Sequence, residues 1–477
     1  MLKVRELYCP SHFGNSFEVA GRREMEDFLR GAKDWGVNRY SDWFDPIDLY
    51  DPYEPSNNPR NLFNFPESMW RQKFDHYRAA HELGLELGLV LTPNHVYTDQ
   101  LGKARAAVQG EDPVHRTHVF GQLLCPSDAA ARRIILANQE NLFRSFRERG
   151  MALRSLSLCP YDYGGCLCEA CRPWIQTFAA LARDIAQLAE SFFPGIEANL
   201  IGWWWSEAEH QLFPSWCGSH APSRFHSMAF HLPYDAVGYD PSKRPIPDGC
   251  RERSFVHACY GDAVDLPGIG RHNYGHFGAP VAARRMAATH AFLASRKAEG
   301  WMAYTEGFHA DLNVALLAAL GSGQASSAEA VLEEYARRHF GGKNAARWGR
   351  WLSGFIDPKN LDVHGARREW IDLGGEQLDG WRARQMEGTL RLFECHQRVE
   401  REPSWSPARI AAADAFWEAK EHLYRSVWGL GVPRHIFQMD GQVPAWHAAY
   451  LEHQGAMPRS APSPSTGLKA PKDLDET

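Results

Sequence analysis

Residues 153–204 read LRSLSLCPYDYGGCLCEACRPWIQTFAALARDIAQLAESFFPGIEANLIGWW. Leu153–Leu158 predicts a short strand. Beyond it Ile175, Phe178, Leu181, Ile185, Leu188 and Phe192 recur at spacings of three or four, one face of an amphipathic helix. Ala198–Trp204 predicts a second strand. A strand, a helix and a strand in about fifty residues is a βαβ unit with parallel strands.

The same alternation runs outward in both directions. Upstream, strands are expected at Val4–Tyr8, Val37–Ser41 and Leu85–Thr92. Helices are expected at Arg23–Trp35, Glu67–Leu83 and Ala129–Arg149, the last with Ser127 as its cap. Downstream, a sixth strand is expected at Ala236–Tyr239, a seventh at Ser254–Cys259 and an eighth at Trp301–Thr305, with helix Val281–Ala298 before the eighth. Eight strands separated by helices imply an α/β fold, a closed (β/α)₈ TIM-type barrel. An open doubly wound sheet is disfavoured, because no Gly-rich phosphate loop follows any strand.

The barrel is expected to span residues 1–342. From 343 to 456 only helical patterns remain, at Ala345–Phe355, Gly365–Val399 and Pro407–Trp428. Residues 457–477 are rich in Pro, Ser, Lys and Asp and are expected to be a disordered tail.

Composition excludes several classes. Of 477 residues, 52 are Lys or Arg and 58 Asp or Glu, for a net charge of −6. With no sustained basic run, a nucleic-acid surface is not expected. No apolar run approaches the roughly 20 residues of a membrane helix. The N-terminus passes from Met1 into Lys3, Arg5 and Glu6 without a signal core, so a cytoplasmic location is expected. The composition leaves self-association into a homo-oligomer open. Aromatic residues make up 12% of the chain, including 17 Trp, and there are 10 Cys.

In such barrels the reactive groups lie at the C-terminal ends of the strands. Strand two delivers Asp42 and Trp43 there, and strand three delivers Asn94, His95 and Tyr97. Strand four is followed by Tyr161, Asp162 and Tyr163. Strand five ends in Trp203, Trp204 and Trp205, ahead of Ser206, Glu207 and Glu209. Strand seven delivers Tyr260 and Asp262, and strand eight Tyr304, Glu306, His309 and Asp311. Aromatic faces suit the C–H faces of a pyranose, and carboxylates suit its hydroxyls. Glycosidic cleavage needs two carboxyl groups, one protonated and one ionised. The residues therefore point to a carbohydrate substrate. Glu207 is expected as general acid and Glu306 as nucleophile or base, in exchangeable roles, with Asp162 orienting the substrate or tuning one of their pKa values; an Asp162/Asp262 pair is the alternative. Asp42, Trp43, Asn94, His95, Tyr161, Trp204, Trp205, Tyr260 and Tyr304 are expected to bind substrate. Strand alternation requires at least one of the three consecutive tryptophans to pack under the outer helices. The absence of H-E-x-x-H and G-x-S-x-G leaves metalloprotease and serine-hydrolase readings unsupported.

Cys166, Cys168 and Cys171 form a C-x-C-x₂-C cluster after strand four. In a reducing compartment such spacing favours a metal–thiolate site, and a structural Zn²⁺ requires a fourth ligand. Cys159 and Cys125 are both within reach on this reading. No organic cofactor is expected.

The segment from Pro160 to Trp174 resembles uncharacterised barrel proteins near the hexosaminidase-like and α-glucuronidase-like glycoside hydrolases. Leu124-Cys-Pro-Ser127 looks like the short motif that precedes it there. Tyr304-Thr-Glu-Gly307, Asp311-Leu-Asn313, Glu334-Tyr-Ala336 and Phe340-Gly341 are similar to their strand-eight pattern. The resemblance covers about residues 1–342 and implies a barrel glycosidase, with Asp162 and Glu306 in the site and Cys125 as fourth thiolate. Retaining hexosaminidases assisted by the substrate's acetamido group carry adjacent Asp-Glu after strand four; this chain has Asp162-Tyr163.

The sequence therefore reads as a glycoside hydrolase, exo-acting on a small glycoside or oligosaccharide. The alternatives are a non-catalytic sugar-binding barrel and a metal-dependent sugar isomerase or lyase.

Overall fold

The structure, a computed structural model, describes residues 1–11, 16–44, 66–97, 100, 102, 104, 106, 123–160, 165–202, 205–221, 224–232, 239–259, 278–305, 307–357, 360–429 and 444–453. Eight parallel strands close a barrel in chain order: β1 (Val4–Tyr8), β2 (Arg39–Trp43), β3 (Glu86–Leu91), β4 (Leu153–Leu158), β5 (Glu197–Ile201), β6 (Ser227–Leu232), β7 (Arg251–Cys259) and β8 (Gly300–Thr305), with β8 paired back onto β1. The helices facing them include α1 (Ser16–Val19), α2 (Arg22–Asp34), α3 (Pro66–Glu82), α4 (Ala129–Glu148), α5 (Trp174–Phe192), α6 (Glu207–His220), α7 (Ala283–Ser295) and α8 (Asp311–Ser322). The expected TIM-type barrel is the observed fold.

Alternation sorts each strand into an outer and an inner face. Leu7, Leu89, Leu91, Leu156, Leu158, Leu200, Phe230, Val256 and Trp301 face outward into the large core shared with the helices. Tyr8, Trp43, Val90, Cys159, Ile201, Ala229, Phe255, Met302 and Tyr304 form a separate cluster inside the barrel. Gly88 is required by this interior: a Cβ there would lie 2.6 Å from Ser155 Oγ and 2.8 Å from Glu6 Oε1.

The lower interior is ionic. Arg39 at the start of β2 reaches across to Glu197 at the start of β5 (3.0 Å), and Arg253 on β7 reaches Glu197 and Glu299 (both 2.8 Å). Burial would raise the Glu197 carboxyl, but Arg39 and Arg253 overcome it and hold the group at about 2. Glu299, where His226 and Arg253 likewise overcome burial, is also held at about 2. These charges plug the bottom of the barrel, the face that serves stability rather than catalysis.

Three expectations are corrected. The sixth strand is Ser227–Leu232, not Ala236–Tyr239, of which residues 236–238 lie outside the described residues. Its sequence, SMAFHL, has no β-branched residue to mark it as a strand. Helix α4 is capped by Asp128, whose side chain accepts from the Ala131 N–H, while Ser127 donates to the Ala170 carbonyl. The single helix expected over 365–399 is two, α11 (Val363–Asp372) and α12 (Trp381–Arg401), parted where Gly374 adopts φ +79°.

Before them stand α9 (Ala328–His339) and α10 (Ala345–Ser353), and after them α13 (Pro407–His422) and α14 (His447–His453). A buried two-point ion pair ties these helices to the barrel. Arg382 at the start of α12 donates to both oxygens of Asp311 at the start of α8 (2.9 and 3.0 Å), and the Tyr335 hydroxyl donates to Asp311 as well (2.8 Å).

Candidate active site

The C-terminal mouth of the barrel is lined by rings set on rigid strands. Tyr8 and Tyr304 meet edge to face with centroids 5.5 Å apart, and Phe255 lies 5.7 Å from Tyr304. Trp43 ends β2 and its ring lies 6.3 Å from that of His95. Two histidines join them. His257 on β7 lies 5.4 Å from Tyr304 and 4.8 Å from His231 on β6. The mouth thus gathers Trp43, His95 and Tyr304 from the expected residues and adds Tyr8, His231 and His257. The misplaced sixth strand concealed His231. His257 lies inside a strand that was expected, and alternation from Phe255 would have marked it as inward-facing.

Other expected residues are placed differently. Asp42 faces outward and is fully buried. It accepts from the Ser11 N–H (2.9 Å), the Ser11 hydroxyl (2.8 Å) and its neighbour's Trp43 N–H (2.6 Å), and Lys73 Nζ lies 3.8 Å away. Its acceptors are spent on joining β2 to α3 and the β1 loop, which corrects its reading as a substrate contact. Ser11 also meets His76 Nδ1 at 3.4 Å, but His76 Nε2 bonds the Ala20 carbonyl and Asp42 bonds the serine, so the three do not form a charge-relay triad.

Trp205 packs beneath α5 and α6, with Phe178 at 6.1 Å and Phe213 at 5.3 Å. It is a core residue and not a sugar platform. The chain has therefore turned outward before Glu207. That residue opens α6 with its side chain 59% exposed and paired to Lys243 at 3.1 Å. Ser206 and Glu209 form the capping box of the same helix. Asp311 is committed to Arg382, and burial pushes His309 down to about 3, leaving it neutral. Tyr161, Asp162, Trp204, Tyr260, Asp262 and Glu306 lie outside the described residues.

Asn94 and His95 support the second feature. Asn94 Nδ2 donates to the Leu124 carbonyl (3.2 Å), Leu124 N–H donates to the Asn94 carbonyl (3.1 Å), and His95 bridges Leu123 in antiparallel fashion. These bonds lay residues 123–125 against the end of β3 and present Cys125 to the loop after β4. The sulfurs of Cys125, Cys166, Cys168 and Cys171 all lie within 4.8 Å of one another. Cys125 is 3.7 Å from Cys168 and 3.5 Å from Cys171, far beyond the ~2.05 Å of a disulfide. A tetrahedron of thiolates at about 2.3 Å from one ion has edges of about 3.8 Å. The donor set fits a metal ion, and the fourth member is Cys125. Cys159 belongs to the barrel interior. Hydrogen bonding with Cys166 and burial push the Cys171 thiol upward, the cost of crowding thiols that a divalent cation reverses.

No protein-family model matches the chain, and no curated protein matches it. Solved structures to which it is similar include the catalytic domain of a beta-amylase from Paenibacillus polymyxa (9% identity, 68% of this chain and 100% of that one, TM-score 0.39). Another is an alpha-amylase from Geobacillus thermoleovorans complexed with acarbose (10% identity, 67% and 79%, TM-score 0.41). A third is a catalytic module of the pneumococcal exo-beta-D-N-acetylglucosaminidase (7% identity, 74% and 98%, TM-score 0.40).

Proposed function

We propose that the chain is a glycoside hydrolase, exo-acting on a small glycoside or oligosaccharide. The observation that carries the reading is the ring of Tyr8, Trp43 and Tyr304 at the barrel mouth. Flat faces on rigid strands suit the C–H faces of a sugar, and Glu306 follows directly on the last residue of β8. Glu306 is the nucleophile or base. Its acid partner is Asp162 or Glu207, and the setting of Glu207 favours Asp162. A catalytic acid works in a water-poor pocket, whereas Glu207 stands in solvent beside Lys243. Trp204, Tyr161 and Tyr260 complete the sugar contacts on this reading.

The four-cysteine site is assigned Zn²⁺, held by Cys125, Cys166, Cys168 and Cys171. Four thiolates leave no open coordination position, so the ion would supply a cross-link and not Lewis-acid chemistry. Free thiols and a thiolate metal site suit a reducing, cytoplasmic setting.

A panel of 4-nitrophenyl glycosides tests the activity. On a substrate that the wild type cleaves, Glu306→Gln and Asp162→Asn are each expected to lower kcat by about 10²–10⁴-fold. Glu207→Gln is expected to lower it less than about threefold, the effect of one lost surface ion pair. Wild-type turnover in Glu306→Gln overturns the assignment. A large loss in Glu207→Gln with full activity in Asp162→Asn returns the acid role to Glu207. Binding of the sugars without hydrolysis of any would replace the reading with a non-catalytic binding barrel.

A further inference from the structure

A cavity of about 350 Å³ opens where the C-terminal helices meet α2 and the segment after β8. Its walls are Arg23, Glu24 and Asp27 on the first two turns of α2, Phe308 after β8, and Trp381 and Trp428 from the helical region. Because α2 follows β1, its first turns stand at the C-terminal end of the barrel. The cavity therefore lies on the side of the mouth where Tyr8 of β1 and Tyr304 of β8 meet at 5.5 Å. Phe308 is four residues from Tyr304, at most about 14 Å along the chain, a span that a short oligosaccharide bridges.

Each ring of the cavity is pinned by a partner of its own. Trp381 Nε1 donates to Asp27 (2.8 Å), and the Arg382 guanidinium lies 4.3 Å over the same indole. Trp428 Nε1 donates to Gln385 Oε1 (3.1 Å), and Phe308 packs on Phe28 at 5.3 Å. Trp381 is only partly buried, so indole surface remains for a ligand although its nitrogen is satisfied. The charges nearby balance, with Arg23 and Arg382 against Glu24 and Asp27. An anion would meet two carboxylates, and a cation two guanidinium groups. An apolar ligand would cover both without hydrogen bonds, which is costly. A neutral sugar avoids all three penalties: its C–H faces lie on the rings, and its hydroxyls donate and accept. The volume falls at the lower end of the roughly 300–1,000 Å³ of small-molecule sites, which suits a short piece of a glycan.

We propose that this cavity is a second sugar site, which holds a neutral pyranose of the substrate beyond the unit seated at the mouth. The proposal rests on the glycosidase reading and deepens it: the substrate is an oligosaccharide, and the C-terminal helices complete its binding surface. Trp381 supplies the platform, and the buried Phe308 and Trp428 the floor. Glu24 and Asp27 accept from hydroxyls. The site takes no part in breaking the bond. It adds binding energy remote from the reacting atoms, which raises kcat/KM for longer substrates.

The test compares a 4-nitrophenyl monosaccharide glycoside that the wild type hydrolyses with the 4-nitrophenyl trisaccharide of the same sugar. In the wild type, kcat/KM is expected to be about 10-fold higher for the longer substrate, the size of one ring contact plus one hydrogen bond. Trp381→Ala removes the platform, and Ser426→Trp fills the cavity from an exposed position on its wall. In both variants the ratio should fall to within about twofold, with the monosaccharide glycoside cleaved as in the wild type. No advantage of length in the wild type, or one that survives in both folded variants, overturns the proposal while the glycosidase reading stands. If Trp381→Ala fails to fold, Ser426→Trp carries the test alone. If the wild type hydrolyses no glycoside, the glycosidase reading falls, and isothermal titration with the free trisaccharides decides for the cavity. Binding weakened about 10-fold in Ser426→Trp then sustains the sugar site; absent or unaltered binding overturns it.

Discussion

Two tryptophans show how much rests on the direction of a single side chain. Trp43 is the last residue of β2 and points into the barrel; Trp205 lies four residues past β5 and points away from it. Both stand at a strand end in the sequence, and both suit a sugar platform by residue type. Trp205→Ala is therefore expected to act through packing. It should cost about 3–5 kcal/mol of stability, read as a lower midpoint in urea, while kcat per folded molecule stays within about threefold. A selective loss of kcat with unchanged stability would return Trp205 to the site. The carboxylates follow the same logic. Asp42 and Asp311 look like rim acids in sequence, yet their oxygens are taken by Ser11 and by Arg382 with Tyr335. Residue type was legible from the chain, whereas partner identity was not, because each partner lies between 24 and 71 positions away.

At the scale of elements, periodicity located most strands and helices within two or three residues. It failed where packing overrode composition. β6 carries Ser, Met, Ala, Phe, His and Leu, and becomes a strand because both its edges are paired in the closed barrel. The cap of α4 moved by one residue, from Ser127 to Asp128, since the Ser127 hydroxyl faces the thiol cluster, 3.0 Å from Cys171 Sγ. Asp128→Ala is accordingly expected to cost about 0.5–2 kcal/mol, measured as a shift of the thermal or denaturant midpoint; no shift would remove the cap assignment. The thiol cluster joins two elements, the segment before α4 and the loop after β4. Purified protein is expected to hold about one equivalent of zinc by elemental analysis. A strong chelator under denaturant should release that ion and lower the refolded melting temperature, and added Zn²⁺ should restore it. Cys171→Ser should reduce the bound zinc and destabilise in the same direction. Full metal content in that variant would exclude the assigned ligand set.

Across the whole molecule, the barrel divides by polarity along its axis, with ion pairs at the N-terminal end and aromatic rings at the C-terminal end. The lower end sets the response to acid. Glu197 and Glu299 are held at about 2 in the folded chain against an ordinary value of 4.5. A carboxyl depressed on folding stabilises the native state fully above its unfolded value, and that contribution is lost as pH falls toward the folded one. Melting temperature should therefore drop through the window from about pH 4.5 to about pH 2. In Glu299→Gln the slope across this window should be shallower, on a lower starting stability because Arg253 loses a partner. An identical slope in the variant would show that the network does not govern acid unfolding.

Seven of the eight strands, most of the intervening helices and the cluster of Cys166, Cys168 and Cys171 are local patterns, set by side-chain period and spacing along the chain, and the sequence by itself determined them. It also placed Glu306 directly after the eighth strand. Closure of the sheet decided the rest. It sent Arg39, Glu197 and Arg253 to one end of the interior and Tyr8, Trp43, His231, His257 and Tyr304 to the other. It also chose Cys125 over Cys159 for the thiol cluster. The physical reason is that inward and outward positions differ by one residue along a strand. Which of two neighbouring side chains meets the mouth is settled only when all eight strands are in register.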